Sequence, residues 1–512
     1  MKMRHIAELP IVKASVIGAP DAAASRVTCA SPRAGPGVAF YALPGRRTDG
    51  HRHAEAALAA GSPALFVSDA HVFADLGTAI RSGRFGPPER GPGLFLVAAG
   101  RAPLADLVQA LYEAPSGRLN LYGVTGTNGK ATVTFLAAQM LGALGIPCGI
   151  LGGLGLYLPG RVLPSDRTTP EAPDIAEFLT LCLAEGIGHV AMEVSSIGIQ
   201  EERTRGLRFR AAAFTNLTQD HLDYHGTMAA YRACKERLFL EYPLGGAALN
   251  AEDAVAAELA ARVRAERPEV PVLAFALEGP ADVTVEALRL TGGGSAGLVR
   301  HGGARRPFTL PLPGRFNVSN WLAAVSLLLG AGRSLEELAA AAAHCKGAPG
   351  RLERVSLDAP FAVLVDYAHS PAALETVLAA VRPLASGRLI VLFGCGGDRD
   401  RDKRPQMGAI AERLADLVIL TSDNPRGEDP PEILAQIRRG MRGPRTPWVI
   451  ENRAEAIHAA LGTAQAGDLV LLAGKGAETY QEIQGQKQPF DDREIVRAWG
   501  RARGFSPIPN RR

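Results

Sequence analysis

The run Gly123-Val-Thr-Gly126-Thr-Asn-Gly129-Lys130-Ala131-Thr132 constrains this chain more than any other stretch. It follows the apolar segment 119–124 and leads into Phe135-Leu-Ala-Ala-Gln-Met-Leu, whose apolar spacing is helical. Strand, glycine turn, lysine and helix, in that order, let backbone N–H groups and a helix N-terminus cradle nucleotide phosphates. Gly126 and Gly129 permit close backbone approach without a Cβ clash. A lysine at a helix start works against the macrodipole unless an anion is present, so Lys130 counts against a plain strand–helix turn. In most such loops a Ser or Thr follows the lysine and gives its hydroxyl to Mg²⁺; here Ala131 stands there.

A length of 512 residues predicts about two to four domains. With 47% apolar and 21% charged residues the chain has the make-up of ordinary soluble cores. A formal charge of +4 is small for this size and argues against nucleic acid as a partner. Cys29, Cys148, Cys182, Cys234, Cys345 and Cys395 are scattered without a CxxC pair, which argues against a disulfide framework or a zinc site and fits a reducing compartment. The first ten residues lack a signal-peptide core, and no apolar run reaches about 18 residues, so a cytoplasmic protein with no membrane span is expected.

Three parts follow from composition and rhythm. Residues 1–114 mix short apolar strands (38–43, 64–67, 93–97) with Ala-rich helical stretches (54–60, 104–112), and Ala114-Pro-Ser-Gly-Arg118 reads as a linker. Residues 115–346 alternate strand candidates (119–124, 187–193, 211–216, 247–250) with helices, the βαβ rhythm of a parallel sheet. A Gly-rich β-like stretch (283–312) and a helix from Asn317 through Leu329 close this part. After Lys346-Gly-Ala-Pro-Gly350, residues 347–512 begin again with strands 362–366, 389–393, 417–421 and 469–473, a second doubly wound unit. The tail from Pro507 reads as loose.

Further motifs fall at strand ends. Glu193, in Ala191-Met-Glu193-Val-Ser195-Ser196, ends an apolar strand and suits a hard cation such as Mg²⁺; a solvated strand-end Glu is the alternative. Asn216-Leu-Thr-Gln-Asp220-His221-Leu-Asp223-Tyr-His225 crowds acids and imidazoles just past another strand. Lys235 lies ten residues beyond His225 and alone reads as a solvated helix lysine. Gly394-Cys-Gly396-Gly397-Asp398-Arg399-Asp400-Arg-Asp-Lys403-Arg404 can hold phosphate or carboxylate through its arginines, or be a charged surface loop. Asp423-Asn424-Pro425-Arg426 offers acceptors and donors suited to a zwitterionic amino acid, or forms an Asx-type turn. Gly474-Lys475-Gly476-Ala477-Glu478 follows a further strand, and these three loops are expected to converge at one carboxyl-end crevice.

The order and spacing of these six motifs resemble the Mur ligase family over nearly the whole chain, most closely the branch that adds the third residue to UDP-MurNAc-L-Ala-D-Glu in peptidoglycan precursor synthesis. The Asp423-Asn-Pro-Arg426 loop resembles that of members using meso-diaminopimelate. The resemblance implies an α/β protein of three domains: a small α/β UDP-binding domain, a central P-loop parallel-sheet ATPase domain and a C-terminal Rossmann-like domain. It implies ATP and Mg²⁺ as cofactors, a monomer, and small-molecule substrates only. Gly126, Thr127, Asn128, Gly129, Lys130 and Thr132 would hold the ATP phosphates, and Asn317, Asn320, Arg351 and Asp366 the rest of the nucleotide. Glu193 and His221 would ligate Mg²⁺, with Lys235 carbamylated as an oxygen ligand to a second ion. Ser31 would lie in the UDP pocket; Thr168, Thr169, Ser195 and Arg203 would hold the muramoyl-dipeptide. Arg399, Asp423, Asn424, Arg426, Gly474 and Glu478 would hold diaminopimelate. Implied chemistry is phosphorylation of the D-Glu γ-carboxylate, attack of the amine on the acyl phosphate, and closure of the last domain over the middle one to exclude water.

The chain departs from the family pattern at four places. Ala131 replaces Ser or Thr, Ile197 stands where His usually follows Val-Ser-Ser, Ala477 interrupts Gly-Lys-Gly-His-Glu, and Ala30-Ser31-Pro32 replaces Asp-Ser-Arg. These losses leave open a divergent paralogue joining another acid to an amine, or a weakened or non-catalytic copy. A scaffold would tolerate loss of Lys130 and Lys235, and both are present.

Overall fold

The computed structural model describes residues 1–45, 48–165, 167–291, 294–355 and 357–505; the tail from Pro507 lies outside the described residues. The chain is mixed α/β and forms two compact units, one of 1–283 with 323–334, the other of 284–322 with 335–512. Among the described residues no helix is long and apolar enough to cross a membrane. All six cysteines are free thiols.

The first unit holds two sheets. In the N-terminal sheet, Val12–Ile17 runs antiparallel to Gly93–Val97, which continues in parallel through Ala64–Val67, Val38–Tyr41 and Arg26–Thr28. Stacked Tyr41, Phe66 and Phe95 fill its core, with ring centroids 5.9 and 5.1 Å apart. The central sheet runs in parallel through Val272–Ala276, Ala247–Asn250, Ala211–Phe214, Asn120–Thr125, His189–Glu193 and Cys148–Gly152. Gly155–Leu158 and Arg161–Leu163 extend it as an antiparallel edge. Parallel strands buried on both faces need continuous apolar runs, and Ala211–Phe214 and Ala247–Asn250 are buried throughout.

Register then decides what meets at the carboxyl edge. Glu193 pairs with Val124 and Phe214 with Thr125, so the glycine loop, Glu193 and the 215–221 segment emerge side by side. The expected boundaries hold within two residues for strands 120–125, 189–193, 211–214 and 247–250. Strands 148–152 and 272–276 were not anticipated.

The second unit carries strands Gly294–His301 and Ala304–Leu310 as an antiparallel pair, from the Gly-rich β-like stretch, and a doubly wound sheet. In that sheet Glu353–Arg354 lies antiparallel to Ala362–Asp366, and Leu469–Ala473, Leu389–Phe393, Leu417–Leu420 and Trp448–Val449 follow in parallel. Asp366 pairs with Ala473 and Phe393 with Leu420, which sets Tyr367, Gly394, Asp423 and Gly474 at one edge. The hairpin Tyr480–Ile483 with Gln486–Pro489 stands beyond that edge.

Candidate active site

Gly129 caps the helix Lys130–Ala143 with φ 91°, and Gly126 has φ 140°. A Cβ on Gly126 would fall 1.9 Å from the Thr215 hydroxyl, so no other residue fits. The neighbouring strand holds the loop in shape. Thr127 N–H donates to the Asn216 carbonyl (2.8 Å), Asn128 N–H to Asn216 Oδ1 (2.9 Å), and Thr215 Oγ1 to the Asn128 carbonyl (2.6 Å). Lys130 Nζ donates to the carbonyls of Gly126 (3.0 Å) and Thr127 (2.8 Å). Ala131 and Thr132 are both buried in the first helical turn.

Lys235 is not the solvated helix lysine its sequence context suggested. It is 1% exposed, donates to the same Gly126 carbonyl at 2.8 Å, and lies 4.6 Å from the centroid of the Tyr231 ring. Burial, then the Lys130 charge, holds its amine well below the usual lysine range. Tyr231 in turn shares a hydrogen bond with Thr127 Oγ1 (3.1 Å). The His225 ring lies tilted beside Tyr231, centroids 5.1 Å apart, and contacts Ser196 Oγ at 3.0 Å; burial, then the charges of His221 and Lys235, lowers its pKa. His221 is exposed and left-handed (φ 52°), with Nε2 3.6 Å from Asp220 Oδ2.

Glu193 is buried and accepts from Gly153 N–H at 2.8 Å. Its carboxylate fits a hard divalent cation. Among the described residues no group of three or more His, Cys, Asp or Glu gathers closely enough to hold a metal.

Thr169 links Glu193 to the next loop. Its hydroxyl donates to the Glu193 carbonyl (2.9 Å) and accepts from Ser195 N–H and Oγ–H (3.0 Å each). Ser195 Oγ caps the short helix Ser196–Gln200 through Gly198 N–H at 3.1 Å. Arg203 donates to the Thr169 carbonyl (3.1 Å), while Thr168 lies half-buried by Gly153. Glu171, absent from the expected set, collects Arg101 through two hydrogen bonds, Arg167, and Arg203 at 3.5 Å. Burial raises the Glu171 carboxyl, and the Arg101 hydrogen bonds and charge more than offset that, leaving it low. Ser31 opens a turn on the wall of a cavity of about 1260 Å³ that Arg33, Thr48, Arg101 and Glu171 also line. Arg26 and Arg33 close on Glu177, and Arg33 on Asp174, along that wall.

In the second unit the three expected loops do converge. Asn424 Nδ2 donates to Glu478 Oε2 (2.9 Å), and a Cβ on Gly474 (φ 109°) would meet Asp423 Oδ2 at 2.5 Å. Arg426 Nε donates to Glu482 (3.2 Å) and a terminal nitrogen to the Gly397 carbonyl (2.9 Å). Arg426 is left-handed (φ 52°), a conformation fixed by backbone bonds to the hairpin at Glu482 O (3.0 Å) and Gln484 N (2.7 Å). Below the cluster, the fully buried Arg453–Asp492 pair (2.7 Å) ties down the Ala473 carbonyl. Arg399 is exposed and donates to the Asp398 carbonyl, outside the Asn424–Glu478 network; Arg404 is the buried guanidinium of that loop. Arg351 stacks 4.2 Å over Tyr367, next to Asp366, whose carboxyl burial pushes up. Asn317 is buried and bonded to the Pro313 carbonyl (2.8 Å); Asn320 is half-buried one turn on.

Similarity to known proteins agrees with this layout. Residues 124–328 match the Mur ligase middle domain, and residues 350–476 the Mur ligase glutamate ligase domain. A protein of Synechococcus sp. (strain WH7803), named UDP-N-acetylmuramoyl-L-alanyl-D-glutamate--2,6-diaminopimelate ligase, is 43% identical over 93% of this chain and 94% of its own. A relative of the same name from Pseudomonas putida is 41% identical over 94% of this chain and 96% of its own. A solved structure of a ligase so named superposes with a TM-score of 0.67 and 31% identity, covering 99% of this chain and 100% of its own. With both family domains matched and relatives of the same length more than 40% identical, the chain belongs to the Mur ligase family.

Proposed function

We propose that this chain is an ATP-dependent ligase that joins meso-diaminopimelate to UDP-MurNAc-L-Ala-D-Glu in peptidoglycan precursor synthesis, acting as a cytoplasmic monomer. The carrying observation is the Asp423–Asn424–Arg426 loop, closed on Gly474 and Glu478 in a family whose similar members are named for 2,6-diaminopimelate. In this reading residues 1–114 take the UDP end, with Ser31 on the cavity wall. Residues 115–346 take ATP, and residues 347–512 take the amino acid.

Lys130 and the loop N–H groups hold the β- and γ-phosphates. Asn317, Asn320, Arg351 and Asp366 contact the rest of the nucleotide. Thr168, Thr169, Ser195 and Arg203 hold the muramoyl-dipeptide so that its D-Glu γ-carboxylate meets the γ-phosphoryl group. Transfer gives an acyl phosphate, the amine of diaminopimelate attacks the carbonyl carbon, and phosphate leaves with the C–O electrons. Glu193 and His221 would hold Mg²⁺, which supplies charge neutralisation at the phosphates. Lys235, with its amine held low, is suited to carbamylation: the nitrogen adds to CO₂ and releases a proton, turning a cation into an oxygen donor. Arg399 and Arg426 answer the carboxylates of diaminopimelate, and Glu478 its ammonium group.

A phosphate-release assay with ATP, meso-diaminopimelate and UDP-MurNAc-L-Ala-D-Glu tests the reading. Release that needs all three components is expected. The altered Ala30-Ser31-Pro32 segment, on the cavity wall, favours a second reading in which another carboxylate replaces the muramoyl acceptor. Release with such a carboxylate, and none with the muramoyl one, would establish it.

A further inference from the structure

We propose that Lys475 is a positioning residue for the amino-acid site: it fixes which way the Asn424 amide faces and which oxygen of Glu478 the substrate meets. The proposal rests on the reading of Asn424 and Glu478 as groups that meet the incoming amino acid. Lys475 is fully buried. An ammonium taken out of water costs several kcal/mol unless it is fully partnered. Its Nζ donates to Asn424 Oδ1 (3.1 Å) and to Glu478 Oε2 (2.9 Å), and sits 5.7 Å from the Tyr480 ring centroid.

The amide orientation follows from this. Asn424 Oδ1 also accepts from Glu482 N–H at 2.9 Å, so both groups facing it are pure donors. A flipped amide would set its NH₂ against an ammonium and an N–H. With Oδ1 so placed, Nδ2 reaches Glu478 Oε2 at 2.9 Å. Oε2 is thus taken twice from inside the protein, while Oε1 has no hydrogen-bond partner among the described residues. Glu478 is 21% exposed at its side chain, enough to present one oxygen to a ligand's ammonium group. Lys475 is itself closed off from the ligand, so it acts only through these two neighbours.

The test is a double-mutant cycle in the full chain, with ATP and the muramoyl acceptor saturating and meso-diaminopimelate varied. Lys475→Met should raise the diaminopimelate KM by about 10- to 100-fold, the size expected for a lost buried bond to a charged group. The KM for ATP should stay within about twofold. In an Asn424→Ala background the same change should cost clearly less than in the wild type, because the amide it orients is gone and only its hold on Glu478 remains. Lys475→Gln keeps two N–H donors without the charge and should give an intermediate KM, which also covers the case in which Lys475→Met does not fold. Equal cost in both backgrounds, or a parallel rise in the ATP KM, overturns the role of Lys475 alone. If the wild-type chain does not respond to meso-diaminopimelate, the reading of the site fails and this role falls with it.

Discussion

Lys235 is a cation where cations are disfavoured. It is 1% exposed and shares the Gly126 carbonyl with Lys130, so burial and a like charge both favour the neutral amine. A neutral buried amine is the form that reacts with CO₂. Lys235→Ala is expected to be nearly inactive and to regain part of its rate with short carboxylic acids in the phosphate-release assay; full activity without them would remove the carbamate from the mechanism. Ala131 raises the complementary question of a missing oxygen. It is buried in the first turn of the loop helix, where the usual hydroxyl would meet Mg²⁺. Ala131→Thr should tighten the Mg²⁺ dependence of nucleotide binding roughly tenfold, read by calorimetry at varied Mg²⁺, given the usual cost of a lost metal contact. An unchanged titration would mean that the coordination is already complete without that hydroxyl.

Among elements, the legible ones were those whose local pattern states their environment. Leu389–Phe393 and Leu469–Ala473 are buried at every residue and read as apolar runs. Glu353–Arg354 and Trp448–Val449 have two residues each, too few for any period, and exist only because a sheet edge stands ready. Cys148–Gly152 opens and closes with glycine-containing pairs that weaken its strand signal. Site residues divide in the same way. Glycine loops at strand ends were visible; Glu171, Arg453 and the positioning part of Lys475 were not, because the partners that define them (Arg101, Asp492 and Asn424) lie far off in the chain and only the fold brings them close. Glu428 belongs to this hidden class. It binds Arg404 through both oxygens (2.9 Å each) and accepts from Asp398 N–H (2.6 Å), joining the 394–402 loop to the Asn424 loop. The Arg404 hydrogen bonds, against burial, hold its carboxyl down at about 2, from an ordinary 4.5. A depressed folded-state pKa stabilises above the unfolded value and is lost as pH falls through the folded one. Glu428→Gln should therefore lower the midpoint of thermal unfolding at pH 7, and the difference from wild type should shrink steadily between about pH 4.5 and pH 2. A difference constant across that range would show that the ion pair contributes nothing to folding.

For the whole molecule, the distribution of sites matters more than any one of them. The glycine loop and the 1260 Å³ cavity both belong to the first unit, yet they use different strands and share no lining residue. Binding to each should stabilise the chain separately, because a ligand that favours the folded state contributes RT ln(1 + [L]/Kd), about 2.7 kcal/mol at 100 times Kd. Lys130→Ala removes the ammonium group of the loop, and Lys130 is not one of the residues lining the cavity. Melting followed by intrinsic fluorescence should accordingly show ADP with Mg²⁺ raising the wild-type midpoint but not that of Lys130→Ala, while UDP-MurNAc-L-Ala-D-Glu raises both. A full nucleotide shift in the variant would place ADP somewhere other than the Gly126–Lys130 loop. Loss of both shifts together would mean that the two sites are coupled through Thr169, which links Glu193 to the Arg203 and Glu171 side of the unit.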